Sequence, residues 1–397
     1  MNPAEPSRAI VSTLGELVEG PFGDPTRWDA AYTIAVDDAK RGQGSRWVSN
    51  GLEVTTVNRY AVDPLDTRRH FVAYADIGLA KSTDGGRSFR HVLGPEIRWR
   101  SNVYDVAFDP SMKGRMWVAA ARQHDIPHWT QLRGVAAGTS GRGGVLRSID
   151  GGDHFVSAST GLPDAPAVSL ALHEAAPGRS TMWVALWGSG IFRSTDGQTW
   201  EAPKPGLDLR ENGNVTRVAA ASDGSLYASV TAKRGDGGLV HPGAVFRSTD
   251  RGANWAKCAL EGAKLAFVRY VAVDPEDPTH VVVTAVDRDG APGGVFESRD
   301  ACRSGTLVRP ASLANGKDVE FFDAGFDGSS RDVWVTTEEH GTFVGHDGFA
   351  SLAEWSLPFL STQRVEPGRG TAPGTRFVAT FGGGALRVDL AATQATP

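Results

Sequence analysis

Short apolar segments separated by polar turns make up most of the chain. A representative unit is VTTVNRYAVDPLDTRRHFVAYADIGLAKSTDGGRSF (54–89), in which two apolar segments flank an Asp-Pro turn and a third leads into a polar string. Segments of this length, bounded by Gly, Pro and Asp, predict β-strands. A short helix is expected only in SRAIVSTLGELVEG (7–20). The pattern therefore predicts an all-β chain.

The polar string recurs as STDGGRSF (82–89), SIDGGDHF (148–155), STDGQTW (194–200) and STDRGANW (248–255). Between two strands it predicts a tight turn, because Gly supplies positive φ and the Ser and Asp side chains bond to the turn's own amides. The aromatic residue that ends each copy can pack beneath the hairpin. We expect the four carboxylates to stabilise turns rather than to catalyse: Asp84, Asp150, Asp196 and Asp250.

This combination resembles the Asp-box, or BNR repeat, of β-propellers such as sialidases, xyloglucanases, sortilin-type receptors and photosystem assembly factors. The resemblance implies that each repeat is one blade of a propeller. Seven repeats can be counted, at 54–89, 103–155, 167–200, 214–255, 268–300, 319–355 and 375–390. We therefore predict an all-β, seven-bladed β-propeller over residues 41–397, preceded by an N-terminal appendage at 1–40.

Closure of the ring needs a further strand. The seventh repeat ends before a fourth strand, which would leave an open sheet edge. The segment SRWVSN (45–50) lies just before the first repeat. We expect it to pair with 385–390 and so complete the seventh blade.

Composition narrows the classes of partner. The chain has 41 basic and 46 acidic residues, a net charge of −5, with no basic stripe. Nucleic acid and anionic membranes are therefore not expected as partners. No apolar run is long enough for a spanning helix. The start MNPAEPSRAI lacks the apolar core of a signal peptide, so the chain is expected to be cytoplasmic or exported with its signal removed.

Two cysteines, Cys258 and Cys302, do not make a disulfide framework. Cys302 replaces the glycine of a degenerate polar string and is interpreted as a small buried filler. We expect no cofactor and a monomeric protein.

The two faces of the propeller have different roles. In a four-stranded blade, the Asp-Pro turns and polar strings lie on one face, here called the box face. The loops from second to third strand lie on the other, here called the rim face. These rim loops are 75–78, 121–129, 186–190, 230–238, 286–290, 337–341 and 381–384.

Acids, histidines and tryptophans in the rim loops suit a sugar or another polar ligand, because aromatic faces stack on rings and acids bind hydroxyl groups. The starts of the inner strands add arginines to the same opening. The predicted ligand-binding residues are His128, Trp129, Trp187, Arg59, Arg269, Asp287, Glu338 and His340.

One rim acid carries a closer resemblance. The segment YADIGLAKSTDGG (74–86) resembles the first blade of xyloglucanases, in which an Asp followed by Ile or Val and Gly is a catalytic carboxylate. The resemblance implies a catalytic role for Asp76. Xyloglucanases take their two carboxylates from two facing propellers, so xyloglucanase activity itself is not expected of one propeller. Sialidase activity is not expected either, because no Arg-Ile-Pro stretch occurs.

The insertion RQHDIPHWTQLRG (122–134) is the most distinctive stretch outside the repeat. His124, Asp125 and His128 could form a proton-transfer group. They could instead hold a metal, but Pro127 prevents a regular helix there, and we assign no metal site. In a purely structural alternative, Ile126 and Trp129 anchor the loop.

The favoured function is a glycoside hydrolase of oligo- or polysaccharides, with Asp76, Asp125 and His124 as catalytic residues. The first alternative is a non-catalytic ligand-binding or assembly scaffold. The second is a lyase or metal-dependent hydrolase centred on the loop with His124, Asp125 and His128. The expected ligand is a carbohydrate or another polar small molecule.

Overall fold

The protein is described by a computed structural model. It describes residues 7–13, 16–21, 23–24, 29–30, 33–36, 44–49, 55–127, 132, 142–260, 267–287, 293–313, 319–327, 332–346, 348–368 and 374–389. Within these ranges there is no helix long and apolar enough to cross a membrane.

Seven antiparallel sheets form the blades, which confirms the all-β, seven-bladed prediction. The inner strands are Val57–Val62, Asn102–Phe108, Ala167–Glu174, Val215–Ala220, Phe267–Val273, Phe321–Phe326 and Thr362–Pro367. The second strands are His70–Tyr74, Met116–Ala121, Ser180–Leu186, Leu226–Val230, Val281–Val286, Val333–Thr337 and Thr375–Thr380. The third strands are Leu79–Ser82, Gly143–Ser148, Gly190–Ser194, Ala244–Ser248, Gly294–Ser298, Thr342–Gly345 and Ala385–Asp389.

Five blades have a fourth strand in the described residues: Arg90–His91, Val156–Ser157, Ala256–Lys257, Thr306–Val308 and Ala353–Trp355. In the third blade, an isolated bridge between Arg193 and Glu201 takes its place. The fourth blade also carries an extra hairpin in its rim loop, Lys233–Gly235 with Gly238–His241.

The N-terminal region is extended, and the expected helix at 7–20 is wrong. Strands Arg8–Thr13, Glu16–Pro21 and Asp29–Ala30 form a small sheet, and Thr33–Ala35 pairs with Trp47–Ser49. Alternating Ile, Val and Leu with polar residues suits an extended strand as well as a helix over so short a stretch.

Ring closure differs from the expectation. Trp47 exchanges two backbone hydrogen bonds of 2.8 Å with Phe89 of the first blade, instead of extending the seventh. In the described residues, the seventh blade gains a strand on its inner side, because Thr362–Pro367 pairs with Thr375–Thr380. The seventh and first blades meet through side chains, with the rings of Phe377 and Tyr60 stacked 4.0 Å apart.

The polar strings form the turns that the sequence predicts. In the first copy, Ser82 Oγ accepts the Gly86 N–H at 2.9 Å, and Asp84 Oδ1 accepts the Ser88 N–H at 3.0 Å. Although partial burial opposes ionisation, hydrogen bonds from Ser88 and Ser82 hold the pKa of Asp84 well below its usual range. The carboxylate therefore serves the turn.

The degenerate fifth copy keeps this geometry with unusual residues. Ala301 and Cys302 take positive φ values of 58° and 71°, and Cys302 donates its N–H to Ser298 Oγ at 2.9 Å. Cys302 is buried, as expected, but it is not a simple filler. It forms a disulfide with Cys258, which lies just beyond the fourth strand of the preceding blade.

The box glycines make room for the preceding blade. A Cβ on Gly152 would lie 2.6 Å from the Phe71 ring, and one on Gly197 would lie 2.5 Å from the Trp117 ring. The Trp117 indole N–H also donates to the Gly197 carbonyl at 2.7 Å. The second-strand aromatic of one blade therefore packs beneath the box turn of the next.

Two glycine substitutions should separate this packing from backbone strain. Gly197 and Gly85 both have positive φ, but a Cβ on Gly85 would meet no atom within 4 Å. We expect Gly85→Ala to lower the free energy of unfolding by about 1 kcal/mol, the cost of the left-handed backbone. Gly197→Ala should cost a further ~1–3 kcal/mol through overpacking. Equal losses in urea unfolding would contradict an interblade role for Gly197.

Candidate functional site on the rim face

Four of the rim loops are tight turns of the same build. The N–H of the first turn residue donates to a carbonyl at the start of the blade's inner strand. These bonds are Ala75 to Thr56 (2.9 Å), Trp187 to Pro166 (2.9 Å), Glu338 to Glu320 (2.9 Å) and Phe381 to Ser361 (3.0 Å). The turns 75–78, 187–190, 338–341 and 381–384 are therefore structurally equivalent.

The second position of these turns requires a left-handed backbone. Gly188 and Gly382 occupy it in the third and seventh blades, with φ of 76° and 86°. Asp76 and Glu339 occupy it in the first and sixth blades, with φ of 69° and 64°. A non-glycine residue is strained there. Two rim turns thus carry an exposed acid where glycine would fit better.

Asp76 is tied to the loop of the neighbouring blade. Its N–H donates to Asn102 Oδ1 at 2.9 Å, and Asn102 Nδ2 donates to the Arg122 carbonyl at 3.1 Å. Asn102 is only 2% exposed, so this link is rigid. Asp76 and the segment 122–127 therefore border one part of the rim.

The segment 122–127 presents a histidine–aspartate pair. His124 Nδ1 lies 2.7 Å from Asp125 Oδ2, and the two side chains are 57% and 29% exposed. Asp125 also has a positive φ of 57°. Because Asp125 engages Nδ1, it orients the ring so that Nε2 is the nitrogen left for a ligand.

Residues at inner-strand bulges hold this segment in place. The inner strands of the second and fifth blades have register shifts after Val103 and Val268, next to Tyr104 and Arg269. Tyr104 donates its hydroxyl to the Gln123 carbonyl at 2.7 Å, and Arg269 Nη1 donates to the Pro127 carbonyl. The segment therefore reaches from the second blade to the fifth.

The pKa of the Tyr104 phenol depends on the charges around it. Burial raises the pKa of its phenol, and the charges of Asp125 and Asp76 raise it further. Both acids thus lie close enough to act on the same hydroxyl group. The structure places Asp76, His124 and Asp125 in one neighbourhood.

Glu338 belongs to a second group of rim acids. Burial, together with the hydrogen-bonded Glu320, raises the pKa of Glu338 to about 7. Arg269 acts in the opposite direction and also stacks 4.4 Å from the Phe322 ring. His340 Nδ1 donates to the Glu338 carbonyl at 2.8 Å. Two acids that share a proton beside an arginine can exchange protons with a ligand near neutral pH.

Three of the predicted ligand-binding residues are buried or paired with other protein groups. Trp187 is 1% exposed in the same apolar cluster as Ile126, so neither ring face is open for stacking. Asp287 is paired with Arg309. Arg59 lies in the central channel, where it binds Asp105 and Glu366 instead of facing the rim. His128 and Trp129 lie outside the described residues.

The sequence interpretation missed Asn102, Tyr104 and Glu320. All three lie at or near the start of an inner strand, where the sequence predicted only arginines as ligand residues. Position in the chain is the signal that could have identified two of these residues. Asn102 and Glu320 both stand just before the strand residue that starts the bulge.

Glycine should fit the Asp76 position better than alanine does. We expect the free energy of unfolding of Asp76→Gly to be about 1 kcal/mol higher than that of Asp76→Ala, because only glycine adopts φ of 69° without strain. Chemical denaturation of both variants and the parent measures the difference. The same order is expected for Glu339→Gly and Glu339→Ala. Alanine variants as stable as the glycine variants would contradict a strained position.

Glu338 should make stability depend on pH. Its folded pKa lies above the ordinary value of 4.5. The folded chain therefore holds the proton more tightly than the unfolded chain. This stabilisation is complete below about pH 4.5 and is lost as the pH rises through about 7. We expect the free energy of unfolding to fall less between pH 5 and 8 in Glu338→Gln than in the parent. The exposed Glu276→Gln is the control, and a slope equal to that of the parent in Glu338→Gln would contradict the assignment.

Known proteins were compared with this chain by sequence. No protein-family model matches the chain. The oligoxyloglucan-reducing end-specific xyloglucanase of Emericella nidulans is 22% identical over 284 residues, which are 68% of this chain and 29% of that enzyme. The chain thus spans less than a third of this relative's length.

Solved structures are similar over most of the chain. YCF48 from Cyanidioschyzon merolae has a TM-score of 0.58 at 13% identity, covering 87% of this chain and 98% of that one. The GH74 enzyme of Niastella koreensis has a TM-score of 0.56 at 16% identity, covering 96% of this chain and 58% of that one. The protein is thus a seven-bladed β-propeller whose fold is similar to those of YCF48 and the Niastella koreensis GH74 enzyme.

Proposed function

We propose that the rim face binds a carbohydrate and hydrolyses a glycosidic bond beside Asp76. The observation that carries the proposal is the position of Asp76. An exposed carboxylate stands where two equivalent turns have glycine, and its backbone is tied through Asn102 to the loop of a histidine–aspartate pair. Strain of this kind often accompanies a functional role.

The residues divide the chemistry between them. Asp76 takes a proton from water as the water oxygen attacks the anomeric carbon. His124 donates a proton from Nε2 to the leaving oxygen as the glycosidic C–O bond breaks. Asp125, 2.7 Å from His124 Nδ1, orients the ring so that Nε2 faces the leaving oxygen in this proposal. One proton is gained and one is lost by the protein, so the protonation states return to their start when Asp76 passes its proton to solvent and His124 regains one.

The comparisons support a carbohydrate as the ligand class. The Emericella nidulans relative is named as a xyloglucanase, and the Niastella koreensis structure is named as a GH74 enzyme. The resemblance of YADIGLAKSTDGG (74–86) to the first blade of xyloglucanases points to the same residue, Asp76.

The test is hydrolysis of a panel of xyloglucan, β-glucan and other oligosaccharides, followed by mass spectrometry of the products. We expect the parent to cleave at least one member. Asp76→Gly should lower kcat by at least roughly 100-fold, the usual scale for loss of an acid–base group. Its fold should be retained, because glycine suits the turn.

Glu339→Gly is the matched control, since it makes the same change at the equivalent position of the sixth blade. It should keep the parent activity. Cleavage of no panel member by the parent would contradict the proposal. Cleavage by Asp76→Gly at the parent rate would remove Asp76 from the reaction.

A second candidate is peptide binding without chemistry. It is favoured by YCF48, which is also solved bound to a D1 peptide and whose length this chain covers almost fully, at 97%. On the rim, Ile77 is 44% exposed, and Leu360 is 56% exposed, with its carbonyl accepting the Gly341 N–H at 2.8 Å. If an extended peptide binds there, Asp76→Gly should leave most of its affinity intact.

A further inference from the structure

A cavity lies on the box face, away from the rim residues. It has a volume of about 400 Å³ and is bounded by the inner strands of the first, second, third and seventh blades. Pro64 and Pro110, from two Asp-Pro turns, stand at its mouth, and Val62, Phe108 and Leu172 form apolar walls. This volume and lining are typical of a small-molecule site.

The charged lining residues of the cavity are Arg59 and Glu366. Arg59 Nε and Arg364 Nε each lie 3.0 Å from the same oxygen, Glu366 Oε1. Arg59 Nη1 donates to Asp105, which is fully buried. Across the described residues, Arg59 Nη2 and Glu366 Oε2 have no hydrogen-bond partner, and both residues line the cavity, which therefore has a donor and an acceptor without a partner.

The charges behind this pair balance one another. Three guanidinium groups, of Arg59, Arg217 and Arg364, face three carboxyl groups, of Asp105, Asp323 and Glu366. An anionic ligand would meet Glu366 at the cavity, and a cationic ligand would meet Arg59. An added charge in a partly buried network is costly unless it is paired. A neutral head group avoids both penalties.

We propose that the box-face cavity binds a small neutral molecule with an apolar body and an amide edge. The carbonyl of a carboxamide or lactam accepts a hydrogen bond from Arg59, and its N–H donates to Glu366. The apolar body lies against Val62, Phe108 and Leu172. This site is separate from the rim chemistry and does not depend on the proposed function.

Three probes of matched shape test the chemistry: benzamide, benzoate and benzylamine. They differ in head-group charge, so calorimetry or ligand-observed NMR with the full chain compares neutral, anionic and cationic binding directly. We expect saturable binding of benzamide, with the other two at least roughly tenfold weaker, as loss of a hydrogen bond to a charged group predicts.

Two variants locate the site independently. Glu366→Gln removes the negative charge beside Arg59, so the preference between benzamide and benzoate should shift toward benzoate by roughly tenfold or more. Leu172→Trp narrows the cavity without touching a charge and should weaken benzamide by roughly tenfold. Because the second variant leaves the ion pairs intact, it remains informative if the first unfolds.

The exposed Glu276→Gln and the rim variant Asp76→Gly are controls that should bind benzamide like the parent. The proposal is overturned if benzamide shows no saturable binding to the parent, or if the parent prefers benzoate. It is also overturned if Leu172→Trp binds benzamide as the parent does.

Discussion

Packing between neighbouring blades decides which side chains the strands and box turns can carry. The second strands of the first and second blades bring a large aromatic side chain to the face that meets the next blade, and the next blade's box turn must leave room for it. Phe71 lies against Gly152 in this way, and Trp117 lies against Gly197. The glycine of the polar string is therefore needed twice, for positive φ and for the neighbour's ring. This packing lies at the box turns, and the rim loops, which do not take part in it, differ in length and chemistry.

The rim shows how chemistry can be recognised without homologous sequences. Seven blades provide an internal comparison, since equivalent turns should meet the same backbone demand. Glycine meets that demand at Gly188 and Gly382, whereas Asp76 and Glu339 meet it with strain. A residue kept in an unfavourable conformation when a better one is available at equivalent positions points to selection for its side chain. The backbone N–H of Asp76 also bonds to Asn102, which connects this turn to the segment that carries His124 and Asp125.

Much of the fold could be predicted from the sequence, because the polar string and Asp-Pro turns recur with a fixed order of strands. The inner strand Thr362–Pro367 was missed because Val365 is its only aliphatic residue besides the terminal proline, so it shows no apolar pattern. The exposed rim position of Asp76 followed from blade topology. The position of the Arg59 side chain could not be predicted from blade topology, because this long side chain joins the channel ion pairs. Trp187 was misjudged because aromatic residues suit both a core and a binding surface.

The channel network lies between the two faces. On the rim side, Asn214 and Arg269 donate to the carbonyls of Leu132 and Pro127, so these two residues of the second blade's insertion lie against the inner strands of the fourth and fifth blades. Deeper in the channel, buried arginines and acids are paired across different blades, as Arg59 is with Asp105. Removing one member of such a pair leaves its partner buried and uncompensated, which is strongly destabilising. Among the described residues, these paired groups therefore lie between the rim-face residues and the box-face cavity.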